Sequence, residues 1–133
     1  MPMRILLAID YSPESARAVR EFAGHPWPPG TVVRVLAPVE NAPPSAAELW
    51  FDAGGSLEVV MQVRKERAEA LAVEAAELLR ARGLVVETSV CAGSMRRAVK
   101  EEAKEWPADL VIAGHAASKI RTQEASSPSN TKC

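Results

Sequence analysis

Four short stretches carry groups suited to holding a small ligand: Asp10, Ala37-Pro38-Val39, Cys91 to Ser94, and Gly114-His115. The Asp10 carboxylate stands just ahead of Ser12-Pro13-Glu14, a pattern that starts a helix. In that position it can accept hydrogen bonds from a ribose or another hydroxylated ligand, while the amides of the helix start attract an anion. A turn aspartate bonded to its own backbone fits the same spacing equally well. Gly114 lets a phosphate approach the backbone closely, or simply makes a turn. Of the two histidines, His115 follows a strand and is the better candidate for chemistry. His25 lies in a Pro-rich loop, and neither has an identifiable partner for acid–base work.

Other chemistries lack their signatures. The sequence contains no Gly-x-x-x-x-Gly-Lys-Ser/Thr loop, and no Gly-x-Gly-x-x-Gly follows the first apolar run. Ser12, Ser56 and Ser94 all stand where helix caps belong, and none lies in a Gly-x-Ser-x-Gly elbow. Cys91 and Cys133 have neither Cys-x-x-Cys nor Cys/His spacing, which argues against a disulfide scaffold and a structural zinc. Cys91 reads as a small buried hydrophobe, and Trp27, Trp50 and Trp106 read as packing residues.

The elements that must position these residues follow from periodicity. Ile5 to Ile9 is a continuous apolar run, the mark of a strand covered on both faces, and is expected at the centre of the sheet. Ser12 as N-cap and Pro13 as first helical residue begin a helix whose apolar side is Ala16, Val19, Phe22 and Ala23. Thr31 to Leu36 reads as a second strand, followed by a long Pro- and Ala-rich loop to Gly55. From Ser56 a long helix presents Leu57, Val60, Ala68, Ala72, Leu78 and Leu79, and Gly83 marks its left-handed cap. Leu84 to Val90 is a third strand; Gly93-Ser94 opens a third helix, closed by Pro107; Asp109 to Gly114 is a fourth strand.

This βαβαβαβ order predicts an α/β fold: an open parallel sheet of at least four strands, with helices on both faces and a Rossmann-like arrangement. In such sheets ligands sit beyond the carboxyl ends of the strands, so all four candidate stretches are expected on one rim. Residues 1–114 form the expected domain. Residues 115–133 are polar, have no apolar period, and are expected to be a disordered tail.

Composition narrows the partners. With 133 residues, 47% apolar and 25% charged, the chain fits one ordinary globular domain. Its 16 basic and 17 acidic side chains are interspersed, which disfavours nucleic acid. No apolar run approaches the about twenty residues needed to cross a bilayer, and no secretory segment opens the sequence, so a cytoplasmic location is expected.

Three stretches, taken together, resemble the universal stress protein family: Arg4-Ile-Leu-Leu-Ala-Ile-Asp10-Tyr-Ser-Pro-Glu-Ser15, the helix end Ala-Glu-Leu-Leu-Arg-Ala-Arg-Gly83, and Ala108-Asp-Leu-Val-Ile-Ala-Gly114. The resemblance implies a non-enzymatic stress-response protein, frequent homodimers, and in one branch bound ATP. Carried over residue by residue, Asp10 corresponds to the ribose-contacting acid, and Pro38 or Val39 to the backbone contact with adenine. Ala113-Gly114, with His115 following, begins the phosphate loop. Pro38 has no amide hydrogen to offer, so Val39 must make that contact. Ala117 replaces the loop's second glycine, and the later Gly-Ser pair has no counterpart. The family's final helix and fifth strand are also missing from the pattern, which predicts an uncovered fourth-strand edge unless another chain pairs with it. The expectation is weak or vestigial binding of ATP or another adenine nucleotide. A nucleotide-independent interaction module is the alternative, and a phosphohydrolase using Asp10 and His115 ranks last.

Overall fold

Alternate residues of an extended chain point to opposite faces, so an unbroken apolar run has to be covered on both. A computed structural model of the protein, describing residues 3–113 and the backbone of 121–123, shows this at the first strand. In β1 (Arg4–Ala8) and the residue after it, Ile5, Leu7 and Ile9 enter the larger apolar cluster, while Leu6 and Ala8 enter a smaller one on the other face. All five are buried.

The strands β1, β2 (Val32–Val39), β3 (Val85–Ala92) and β4 (Leu110–Ala113) are mutually parallel. The sheet order is β3-β2-β1-β4-β5, so β1 is central as expected, with Leu7 beside Val35 on one side and Ile112 on the other. Helices α1 (Pro13–Gly24) and α2 (Leu57–Arg80) supply residues to the larger cluster, and α3 (Met95–Glu105) to the smaller one. Helices therefore cover both faces.

The expected uncovered edge of β4 is corrected. Backbone residues Arg121–Gln123 form β5, which runs antiparallel along β4 and pairs Ile112 with Thr122. An extended polar segment with unused backbone donors and acceptors satisfies such an edge as well as a parallel strand would, and needs no crossover helix. The remainder of the expected tail, with Gly114 and His115, lies outside the described residues.

The helix ends follow local rules. Ser12, Ser56 and Ser94 are all N-caps, their hydroxyls accepting from the amides of Ser15, Val59 and Arg97. Gly83 has φ +85°, the left-handed conformation expected after α2. The inward faces differ in detail. On α1, Ala18 is buried and Ala16 is exposed; on α2, Leu57 and Leu78 are exposed and alanines 68, 72, 75 and 76 make the contact. Small residues let α2 lie close to the sheet, so its leucines at the flank of the stripe are left outside.

On the α3 side, the sheet carries a charge. Arg34 projects from β2, its guanidinium 4.8 Å from the Trp106 ring centroid, and pairs with Glu102 at 2.6 Å and Glu87 at 2.7 Å. Partial burial works to lower the Arg34 pKa, but hydrogen bonds to Glu87 and Glu102 outweigh it, and the net direction is upward.

Of the tryptophans, Trp106 is buried, and Trp27 packs at 4.6 Å from Phe22 while donating to the Phe22 carbonyl. Trp50 does not follow the expected packing role. It belongs to a short π-type helical turn, Glu48–Asp52, in the long loop, and is 64% exposed. One side of its ring rests on Gly55, where an added Cβ would stand 2.6 Å from Trp50 Cζ3.

Candidate functional site

Parallel strands that end in turns toward helix starts leave a rim, and here three such exits surround one cavity of about 710 Å³. Asp10 and Tyr11 enter it from β1, Pro38 and Glu40 from β2, and Gly93 and Ser94 from the β3–α3 turn. A volume of this size fits the range of small-molecule sites.

Asp10 is shaped by the α1 cap. Its Oδ1 accepts from the Ser12 amide at 2.8 Å and the Ser12 hydroxyl at 2.5 Å, and its own amide donates to Ser15 Oγ at 2.8 Å. The turn-aspartate reading therefore describes Oδ1. Oδ2 accepts no hydrogen bond among the described residues, which leaves an acceptor at the cavity. The two readings of this residue are compatible because a carboxylate has two oxygens.

Pro38 lines the cavity, whereas Val39 is buried in the larger core cluster. The Val39 carbonyl accepts from the Gly93 amide at 2.9 Å, tying the β2 exit to the β3 exit. Ala113 pairs with Ala8, two residues before Asp10, and is not among the described cavity residues. Gly114 and His115 lie outside the described residues.

Sequence reasoning missed the far wall. Arg64 and Arg67 of α2 also line the cavity, with Glu48 and Glu40 of the long loop. Arg64 fastens that loop. Its Nε and Nη2 donate to the two Glu48 carboxylate oxygens at 2.8 Å each, and Nη1 donates to the carbonyls of Glu40 and Ala42 at 2.8 Å. A planar fork matched to a carboxylate is the arginine geometry lysine cannot copy. The hydrogen bond from Arg64 holds the Glu48 carboxyl below its ordinary pKa, and the same bond raises Arg64. The only advance signal was the i, i+3 spacing of the two arginines, which puts them on one helix face.

A pH dependence follows. A carboxylate with a depressed folded pKa stabilises its partner contact above its unfolded pKa, and that stability is lost as the pH falls through the folded value. The Arg64 clamp is therefore intact at neutral pH and opens only below the usual carboxylate range. Acrylamide quenching of Trp50, isolated by comparison with Trp50→Phe, should rise on such acidification. Arg64→Ala should show the raised quenching already at pH 7. Unchanged quenching in Arg64→Ala would show that the loop does not depend on this clamp.

Tyr11 is 61% exposed overall, yet its hydroxyl sits close enough to protein that desolvation raises its pKa, with the Arg67 charge opposing. No group of three or more His, Cys, Asp or Glu suited to a metal occurs among the described residues. Nor is any described helix long and apolar enough to cross a membrane.

The fold has known counterparts. A universal stress family protein from Burkholderia pseudomallei superposes with a TM-score of 0.62 at 15% identity, covering 84% of this chain and 80% of that one. Universal stress protein UspA from Lactobacillus plantarum gives 0.60 at 16% identity, covering 86% and 80%. A universal stress protein solved in complex with cAMP gives 0.54 at 21% identity, covering 82% and 73%. At these identities the likeness concerns the fold. No curated protein sequence matches the chain. The sequence model of the universal stress protein family matches residues 1–123, the whole of the described sheet and its helices, and the chain belongs to that family.

Proposed function

We propose that this stress-response protein binds an adenine nucleotide weakly in the rim cavity, without catalysing a reaction on it. The observation that carries this reading is the convergence of three strand exits on a cavity in which Asp10 Oδ2 is left as an acceptor. A ribose donates two adjacent hydroxyls, which is what such an oxygen takes. The cavity lies beyond the carboxyl ends of β1, β2 and β3, near the reversal of strand order between β1 and β4. The cAMP-bound relative has the same fold and an adenine ligand, which supports the ligand class.

Thermal shift and calorimetry with ATP, AMP and adenosine test it. Asp10→Asn is the informative variant, because the amide oxygen can still accept from Ser12 while the second oxygen becomes an N–H donor. Affinity should fall about ten-fold, the scale of one lost charge-assisted hydrogen bond, with little change in Tm. No response of the unaltered protein to any of the three compounds removes the proposal.

The second reading is a nucleotide-independent interaction module, a homodimer being its simplest form. It is favoured by neighbouring Trp50 and Phe51, the latter 88% exposed. A concentration-dependent oligomer indifferent to nucleotide and to Asp10→Asn would select it.

A further inference from the structure

The cavity contains two arginines in different situations. Arg64 has its donors engaged by Glu48, Glu40 and Ala42. Arg67, one turn further along α2, lines the same cavity, is exposed, and makes no hydrogen bond or ion pair to any described residue. Of the acids that share the cavity, Glu48 is bound bidentately by Arg64 and Asp10 Oδ1 by Ser12, while Asp10 Oδ2 and the Glu40 carboxylate make no ion pair with Arg67 among the described residues. An exposed guanidinium that lines a ligand-sized cavity and has no ion pair among the described residues is matched to a phosphate oxygen pair.

We propose that Arg67 is the specificity-determining residue of this cavity, holding one phosphate group of the ligand from the α2 wall. This rests on the adenine-nucleotide reading and deepens it: the ligand class becomes a singly phosphorylated adenosine. Further phosphates gain little, because Arg64 is committed and no other cation lines the cavity among the described residues. At the rim, the Ser94-capped start of α3 adds amides whose dipole favours the same charge.

Calorimetric titration of adenosine, AMP and ATP into the full chain, with Arg67→Gln and Arg67→Lys alongside, tests the assignment. In the unaltered protein AMP should bind about ten-fold more tightly than adenosine, and ATP no more tightly than AMP. Arg67→Gln should bring AMP down to the adenosine level and leave adenosine unchanged, and Arg67→Lys should keep part of the preference. Arg67 is exposed, so unchanged melting temperatures verify that each variant is folded. If AMP and adenosine bind equally to the unaltered protein, or if Arg67→Gln preserves the AMP preference, Arg67 is not the phosphate contact, and the nucleotide reading stands. ATP binding well above AMP refutes the single-phosphate class. Failure of all three compounds to bind overturns the nucleotide reading and this assignment together.

Discussion

Replacing Leu7 by alanine should lower the stability of the domain by about 4 kcal/mol, toward the upper part of the range for buried leucines. Leu7 is completely buried in the middle of the central strand, flanked by Val35 and Ile112 in the neighbouring strands. The opposing helix α2 contributes mainly alanines to the same cluster. Alanines have no rotamers with which to fill a void, and a strand paired on both sides cannot move inward. The cavity should therefore persist, which is the condition for a large penalty. Against a total stability of about 5–15 kcal/mol, the loss should appear as a melting temperature lower by at least about 10 °C. Val85→Ala is the control: Val85 is an apolar residue of the same strand class but 58% exposed, and should cost no more than about 1 kcal/mol. Equal losses at the two positions would mean that the sheet is not buried on the α2 side as described.

Arg34→Met should be the second most damaging change, at about 3 kcal/mol, for a different reason. The Glu102 side chain is only 5% exposed and takes the Arg34 guanidinium at 2.6 Å. Removing the cation takes a short charge-assisted contact from a carboxylate in a poorly solvated position, and the weaker compensation of that buried charge accounts for most of the loss. Contact of the guanidinium with the Trp106 face is lost as well, a smaller effect of about 0.5–1 kcal/mol because Arg34 remains partly exposed. The Glu87 arm is half exposed and contributes least. The double variant Arg34→Met/Glu102→Leu separates the causes, since it removes the buried charge with its partner. Urea denaturation should show it recovering most of the stability of the unaltered protein. A double variant no more stable than Arg34→Met would instead assign the loss to packing against Trp106.

Both variants lie away from the cavity, so they also help in reading ligand experiments. A loss of nucleotide response in Asp10→Asn or Arg67→Gln can be compared with Leu7→Ala and Arg34→Met, which lower stability without altering a cavity residue. A binding defect that merely followed stability would appear in all four.

The charged features of the molecule divide by sequence distance. The pair Arg34–Glu102 spans 68 residues, and the clamp from Arg64 reaches Glu48, Glu40 and Ala42 across 16 to 24. Neither follows a short-range rule, and in sequence Arg64 and Arg67 look like any solvated helix side. Their role depends on the loop folding back over the start of α2, which is a consequence of packing.

The local features were legible because their causes lie within a few residues. The unbroken run Ile5 to Ile9 already specified a strand covered on both faces, and the three serines already specified helix starts, since each cap is a bond to an amide three residues away. Gly83 was legible because only glycine reaches its φ without strain. Asp10 was legible as a residue at a strand exit, but the division of labour between its oxygens required the α1 turn in three dimensions. Tertiary structure alone decided that Trp50 stands exposed over Gly55, that Arg121–Gln123 runs antiparallel beside β4, and that Arg64 is engaged while Arg67 is open to the cavity. The physical reason is common to all three: nothing in a residue's own neighbourhood along the chain records which distant surface will be laid against it.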